Sequence, residues 1–213
     1  MIDFNEQLNN YILQIIGDED IILQQLSRET YLKARNPQMM AGAIQGKILE
    51  FISKMIKPSK ILEIGTFTGY SAICLSKGLV NDGMLFTIEA NDELEYFHNK
   101  YINNSEYSKY IKIIYGDALK IIPGLENNFD IIYIDGDKKD YIDYYKNAKE
   151  KVRLGGYIIV DNVLWSGSVL NKNSKNAHTA DIIEFNNVVK NDKDVEKLIL
   201  PIRDGLMLLR KIK

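Results

Sequence analysis

The chain has 213 residues, of which 46% are hydrophobic and 26% charged, and its formal net charge at pH 7 is −2. This composition fits one globular domain with a core of its own, and it argues against a protein coated with positive charge for nucleic-acid binding. The single cysteine, Cys74, excludes an internal disulfide and a zinc site of paired cysteines. The N-terminus is acidic where a secretory signal would be basic, so we expect a protein of the reducing cytoplasm.

The first part of the chain is predicted to be helical. Isoleucines and leucines recur at helical spacing over Ile12–Ile16 and again over Ile22–Leu26. Pro37 marks a break, and a third amphipathic stretch covers Ile44–Met55. Residues 1–57 are therefore expected to form a helical N-terminal part.

From residue 58 onward, short apolar runs alternate with helical stretches, and no linker divides residues 1–213 into two domains. The candidate strands are Lys60–Ile64, Met84–Glu89, Ile111–Tyr115, Asp130–Asp135, Tyr157–Asp161, Lys197–Leu200 and Leu206–Arg210. Helical stretches between them include Ser71–Leu79, Glu93–Asn104, Tyr141–Val152 and Ala180–Asn191. This alternation predicts an α/β core (58–213) with a doubly wound, mostly parallel sheet. Because Pro201–Gly205 is too short for a crossover, the last two strands are expected to form an antiparallel hairpin.

Ligands of doubly wound sheets bind at the carboxyl ends of the strands, and three of these ends favour a nucleoside cofactor. The turn after the first strand carries Gly65 and Gly69, a spacing that differs from the dinucleotide fingerprint. Glu63 before it would repel pyrophosphate but suits a ligand with an amino or sulfonium cation. Glu89 can accept from ribose hydroxyls, and Asp117 from an adenine amino group. The alternatives are an ordinary tight turn, a solvated carboxylate and a helix N-cap.

Two further strand ends predict a metal site. Asp135 ends one strand and Asp161 and Asn162 end the next, so the three side chains are expected to form one cluster of oxygen ligands. Oxygen ligands favour magnesium, calcium or manganese over zinc, unless these residues only cap loops. Lys138 reaches the same site, where a nearby divalent cation would favour its neutral amine as a base. Alternatively, Lys138 is an exposed lysine like its neighbour Lys139.

Five segments in chain order carry a family resemblance: Leu62–Ser71, Gly116–Ala118, Asp135–Tyr141, Asp161–Trp165 and Asp204–Leu206. Together they resemble the metal-dependent class I S-adenosylmethionine O-methyltransferases, a family that includes catechol and caffeoyl-CoA O-methyltransferases. The resemblance extends from about Met39 to the C-terminus. It implies a Rossmann-like seven-stranded sheet, S-adenosyl-L-methionine as the cofactor, a divalent cation with magnesium preferred, and a homodimer.

The resemblance also implies roles for single residues. The metal ligands would be Asp135, Asp161 and Asn162, and the base would be Lys138. The residues implied to bind the cofactor are Met40, Ala41, Glu63, Gly65, Thr66, Ser71, Glu89, Asp117, Ala118 and Asp135. In that picture the metal chelates two neighbouring substrate oxygens. Trp165 would form an aromatic wall for a planar acceptor, with simple core or rim packing as the alternative.

The acceptor remains open between small molecules and RNA. We prefer a catechol-like small molecule that carries neighbouring hydroxyls. Some bacterial relatives methylate a hydroxylated uridine in transfer RNA, but the balanced charge of this chain counts against an RNA acceptor. The residues that could still form a basic patch are Lys33, Arg35, Lys54, Lys57 and Lys60. A third possibility, a non-catalytic cofactor-binding scaffold, is disfavoured by the intact metal set and Lys138.

Other residues give weaker predictions. Ser166 replaces an asparagine of the plant enzymes and the loop 166–177 is polar, so both argue against caffeoyl-CoA as the acceptor. Cys74 is expected to pack within a helix. His98 and His178 have no partner at a useful spacing, so both are expected at the surface or in loops.

Overall fold

The computed structural model describes residues 6–171 and 176–213, and every structural statement here concerns those residues. Their helices are α1 (Glu6–Ile16), α2 (Ile21–Lys33), α3 (Ala43–Ile56), α4 (Tyr70–Ser76), α5 (Glu95–His98), α6 (Ala118–Ile121), α7 (Tyr141–Lys151) and α8 (Ala177–Asn191). Their strands are β1 (Lys60–Ile64), β2 (Met84–Glu89), β3 (Ile111–Tyr115), β4 (Phe129–Ile134), β5 (Val152–Val160), β6 (Val195–Leu200) and β7 (Leu206–Lys211). None of these helices is long and apolar enough to cross a bilayer.

Three helices, α1, α2 and α3, lie in the described part of the N-terminal region. Leu26 of α2 and Leu49 of α3 are fully buried in the core that lies on one face of the sheet. Helix α3 follows Gly42, whose φ of 75° is one that glycine adopts easily. Its C-cap is Lys57, which has a left-handed φ of 52° and directly precedes Pro58. This end of α3 directs the chain into β1.

The strands form one seven-stranded sheet in the order β3-β2-β1-β4-β5-β7-β6. The first five strands pair in parallel and β7 pairs antiparallel to both β5 and β6, so the predicted hairpin is confirmed. All six residues of β4 are buried, as expected for a central parallel strand covered on both faces. Strand β5 begins five residues before its predicted start because Val152 already pairs with Phe129 ahead of a register irregularity.

Strand order reverses between β1 and β4, and the ladder continues one residue beyond these strands. The Gly65 N–H donates to the Ile88 carbonyl at 3.0 Å, and the Asp135 N–H donates to the Ile64 carbonyl at 2.9 Å. The Asp161 N–H continues the series to the neighbouring strand, with the Ile134 carbonyl as acceptor at 3.0 Å. Backbone pairing therefore fixes Gly65, Asp135 and Asp161 side by side at the edge where ligands of such sheets bind.

Candidate active site

Glu63 is fully buried at the end of β1, where the sequence places a cofactor ligand. While the carboxyl is ionised, its Oε2 accepts from the Thr87 hydroxyl at 2.5 Å, and the Thr66 hydroxyl is then the donor in its own 2.5 Å contact with Thr87. Glu63 Oε1 has no hydrogen-bond partner among the described residues. Burial, helped by the negative charges of Asp135 and Glu89, raises the pKa of Glu63 to about 8. A buried acceptor without a donor suits a ligand that brings its own N–H group.

Glu89, at the end of β2, fixes the turn after β1. Its Oε2 accepts from the Phe67 N–H at 2.7 Å, and its Oε1 accepts from the Asn91 N–H at 2.9 Å. Burial raises the pKa of Glu89. A carboxylate oxygen can accept more than one hydrogen bond, so Glu89 remains a candidate acceptor for ligand hydroxyls.

The remaining cofactor candidates surround this edge of the sheet. Asp117 accepts from the Leu119 N–H at 3.0 Å and caps α6, so the predicted N-cap is confirmed. Its neighbour Ala118 and Ser71 in α4 are both buried. Met40 and Ala41 are buried as well, although they lie in the N-terminal part of the chain.

Lys138 is not an exposed lysine, because its side chain is only 13% accessible. Its Nζ donates to Asp135 Oδ1 at 2.9 Å, to the Gly136 carbonyl at 3.2 Å and to the Tyr141 hydroxyl at 2.7 Å. The side chain of its neighbour Lys139 is 64% accessible and pairs with Asp137, as expected for a surface residue. The structure therefore singles out Lys138 as the lysine of the site.

Asp161 is held by donors that sequence reasoning missed. Gln45 Nε2 lies 2.5 Å from Asp161 Oδ2, and the Tyr133 hydroxyl donates to the same oxygen at 3.0 Å. The Asn162 N–H donates to Oδ1 at 2.7 Å, and the Tyr141 hydroxyl donates to the Asp161 carbonyl at 3.1 Å. The carboxylate is thus fixed in one orientation and is 4% exposed.

The same edge of the sheet is chemically suited to a cation. Burial, with Asp161 as the main negative neighbour, raises the pKa of Asp135 to about 6 against the lowering effect of Lys138. Asn162 has a φ of 59°, a left-handed conformation that asparagine tolerates better than most residues. Within the described residues no three His, Cys, Asp or Glu side chains gather as a metal cluster. A cation here would therefore depend on two carboxylates and the Asn162 amide.

Arg203 is another residue that sequence reasoning missed. It lies in the turn between β6 and β7 with a φ of 49°, and its Nη1 donates to the Met40 carbonyl at 3.0 Å. Its positive charge also opposes the rise in the pKa of Asp135 that burial causes. Nothing in the local pattern near position 203 indicates a contact with a residue 163 positions away.

The prediction for His98 is wrong, whereas those for Cys74 and His178 are confirmed. His98 is fully buried on α5, because it lies four residues after Leu94 and four before Ile102 and so shares their apolar face. This spacing, which is visible in the sequence, indicates that His98 is buried. Cys74 packs inside α4, and the His178 side chain is 52% accessible.

The loop after β5 is tied to the β6–β7 turn. Asp204 accepts from the Ser166 hydroxyl at 2.7 Å, and its carbonyl accepts from the Leu164 N–H at 2.7 Å. Trp165 is half-buried, and its ring packs edge to face on His178 with ring centroids 6.0 Å apart. Residues 172–175 of the predicted polar loop lie outside the described residues.

Comparison with known proteins agrees with this geometry. A family model described as O-methyltransferase matches residues 14–212. A catechol O-methyltransferase of Niastella koreensis is 31% identical over 92% of this chain and 90% of its own length. A caffeoyl-CoA O-methyltransferase of Eucalyptus gunnii is 31% identical over 82% of this chain and 75% of its own length.

Solved structures of similar proteins cover almost all of the chain. The O-methyltransferase TomG from Streptomyces achromogenes, in complex with S-adenosylmethionine, superposes with a TM-score of 0.90 at 26% identity, covering 97% of this chain and 96% of its own. An O-methyltransferase from Bacillus cereus in complex with S-adenosylhomocysteine gives a TM-score of 0.90 at 26% identity, covering 96% and 97%. The chain therefore belongs to the family of S-adenosylmethionine-dependent O-methyltransferases.

Proposed function

We propose that the chain methylates a hydroxyl of a catechol-like small molecule, with S-adenosylmethionine as the methyl donor and a divalent cation, magnesium first, as a second cofactor. Lys138 is the proposed base. The observation that carries this proposal is the position of Asp135, which lies between the β1 end with Glu63 and the β5 end with Asp161. One carboxylate can thus serve both a cofactor and a cation.

Support for the cofactor comes from Glu63 and Glu89. The buried Glu63 Oε1 has no donor among the described residues, and the amino group of S-adenosylmethionine is a donor of the required charge. Glu89, at the end of β2, is the proposed acceptor for the ribose hydroxyls. Asp117, Ala118, Ser71, Thr66 and the Met40–Ala41 main chain complete the proposed cofactor set.

Support for the cation comes from charge. Asp135 and Asp161 follow adjacent strands that are in register, and burial together with the charge of Asp161 raises the pKa of Asp135, so a cation at this edge would favour the ionised carboxylates. Asn162 would add an amide oxygen, so the donor set contains only oxygen and suits magnesium, manganese or calcium. A bound cation would acidify a coordinated hydroxyl.

The chain's own contribution to the reaction begins with a proton transfer. Lys138 can accept the proton of the acceptor hydroxyl only as a neutral amine, and its Nζ lies 2.9 Å from Asp135 Oδ1. A cation held by Asp135 would weaken that contact and so favour the neutral amine. The Tyr141 hydroxyl and the Gly136 carbonyl continue to hold Nζ in place, so the base is positioned before the acceptor binds.

A catechol-like acceptor is favoured over transfer RNA. The relatives described above act by name on catechol or caffeoyl-CoA. In the proposed basic patch, Lys33 pairs with Glu29 and Lys54 pairs with Glu50, both at 2.5 Å, and Lys60 pairs with Glu126. These acids reduce the positive potential that an RNA backbone would meet.

The test is a transferase assay on the purified protein. It uses S-adenosylmethionine, magnesium and a panel of catechols, with matched mono-phenols as controls, and measures S-adenosylhomocysteine formation. We expect turnover of at least one catechol that EDTA abolishes and magnesium restores. Turnover that persists in EDTA would remove the cation from the proposal. Activity on hydroxyuridine-containing transfer RNA, with none on any catechol, would establish the RNA alternative instead.

We also propose a homodimer in the cytoplasm. The N-terminal helices and the turn after α2 expose large apolar side chains: Tyr11, Ile15, Ile21, Tyr31, Leu32, Met39, Phe51 and Met55. Apolar residues concentrated on one part of a surface are typical of an interface. Light scattering should give the mass of two chains, and a Phe51→Glu substitution should shift the equilibrium towards one chain. A single-chain mass at micromolar concentration would contradict the dimer.

A further inference from the structure

The buried His98 imidazole connects two of the strand ends at the proposed cofactor site. Its Nε2 lies 2.6 Å from the Phe67 carbonyl oxygen, and its Nδ1 lies 2.7 Å from the Tyr115 hydroxyl at the end of β3. A carbonyl oxygen only accepts, so Nε2 carries a hydrogen, and Nδ1 of the neutral ring accepts from Tyr115. Burial lowers the pKa of His98, which favours the same neutral form.

Phe67 is the strained residue of the turn between β1 and α4. Its φ of 50° lies in the left-handed region, which bulky residues rarely adopt. The Phe67 N–H donates to Glu89, and its carbonyl accepts from His98. Two side chains from outside the turn therefore hold both polar groups of this residue.

We propose that His98 is a positioning residue for cofactor binding. By holding the Phe67 carbonyl, it maintains the turn from Gly65 to Gly69 in a shape that receives S-adenosylmethionine. It also leaves the Phe67 N–H directed at Glu89, which orients the carboxylate proposed to bind the ribose. His98 acts through Phe67 and Glu89 and contacts no cofactor atom itself. This inference rests on the proposed function.

The competing explanation is that His98 only fills space in the core. A His98→Phe substitution keeps a ring of similar size but removes both hydrogen bonds, so it separates the two explanations. His98→Gln keeps an N–H donor for the Phe67 carbonyl. Tyr115→Phe is the matched control, because it removes the contact with Nδ1 and leaves the contact with Phe67.

The experiment is calorimetric titration of each folded variant with S-adenosylhomocysteine. We expect His98→Phe to weaken binding about tenfold. This change corresponds to about 1.4 kcal/mol, which is close to the net contribution of one hydrogen bond. His98→Gln should recover part of the loss, and Tyr115→Phe should change binding by about threefold at most. A folded His98→Phe protein that binds within about twofold of the wild type would overturn the inference, because a twofold change is less than about 0.5 kcal/mol. Absence of binding by the wild type would instead remove the proposed function, and this inference with it.

A second measurement applies if His98→Phe does not fold. The chain has two histidines, so nitrogen NMR of the labelled wild-type protein resolves both rings, with the exposed His178 as the reference. We expect His98 to be the neutral Nε2–H tautomer and its ring signals to move when S-adenosylhomocysteine is added. A ring protonated at Nδ1 only, or one whose signals do not respond, would contradict the proposal.

Discussion

Gln45 Nε2 lies 2.5 Å from Asp161 Oδ2, which joins helix α3 of the N-terminal part to the end of β5. Both groups are buried, so this donor fixes the carboxylate where a cation is proposed to bind. A Gln45→Leu substitution should raise the magnesium concentration needed for half-maximal activity about tenfold, the lower end of the usual effect of losing such a supporting contact. A magnesium titration of activity measures it. Unchanged magnesium dependence in a folded variant would show that Tyr133 and Asn162 suffice to hold Asp161.

Lys138 and Lys139 form a matched pair for testing the base. Lys138→Ala should lower kcat about 10²- to 10³-fold, as expected for loss of a general base. Lys139→Ala should leave kcat within about twofold, because its ammonium is exposed and contacts only Asp137 at 3.0 Å. Steady-state kinetics with a catechol gives both values, and S-adenosylhomocysteine binding should be retained in both variants. Equal activity of the two variants would exclude Lys138 as the base.

Glu63 predicts a pH dependence of stability in the cofactor-free protein. Its carboxyl has an ordinary pKa of 4.5 and a native pKa of about 8, so between these values the native state binds more protons than the unfolded state. The free energy of unfolding must therefore fall as the pH rises through this window. Asp135 contributes in the same direction only up to its own pKa of about 6.

The Glu63→Gln variant isolates this effect. Urea unfolding at pH values from 6.5 to 8 should give a steeper loss of stability for the wild type than for the variant, because glutamine does not titrate. Parallel slopes for the two proteins would mean that Glu63 is ionised throughout this range. Saturating S-adenosylhomocysteine should flatten the wild-type slope if the ligand pairs with the carboxylate.

Gly65 predicts a severe loss of stability on a small change. A Cβ at this position would lie 2.3 Å from the Asp135 carbonyl oxygen, and the φ of 97° disfavours any side chain. Gly65→Ala should therefore destabilise the fold by about 3 kcal/mol or more, combining backbone strain with overpacking. Gly124→Ala is the control, because its Cβ would meet no atom within 4 Å. Thermal unfolding should separate the two variants by at least about 5 °C, and similar midpoints would contradict the argument.

The sequence predicts the parallel sheet well because its signals are local. β1, β2 and β3 have the predicted bounds, since each is a short apolar run, and β1 and β3 are followed by glycine while β2 ends at the charged Glu89. Asp135 and Asp161 were expected at one edge because parallel strands end at the same edge, and backbone pairing places them there.

The supporting contacts could not be predicted because they cross long stretches of chain. Gln45 reaches Asp161 across 116 positions, and Arg203 reaches Met40 across 163. Neither contact leaves a periodic or local pattern in the sequence. His98 is different, because its spacing from Leu94 and Ile102 already indicated burial. The lack of a partner residue at a useful spacing does not place a histidine at the surface, because His98 finds its partners in the Phe67 carbonyl and the Tyr115 hydroxyl.

The turn between β6 and β7 contacts two segments that are far apart in the sequence. Arg203 holds the Met40 carbonyl on the N-terminal side, while Asp204 holds Leu164 and Ser166 on the other. The reacting groups themselves belong to strand ends fixed by the sheet. A change in the length or composition of this one turn would therefore move the Met40 main chain and the loop after β5 together, while the sheet keeps Asp135 and Asp161 in place.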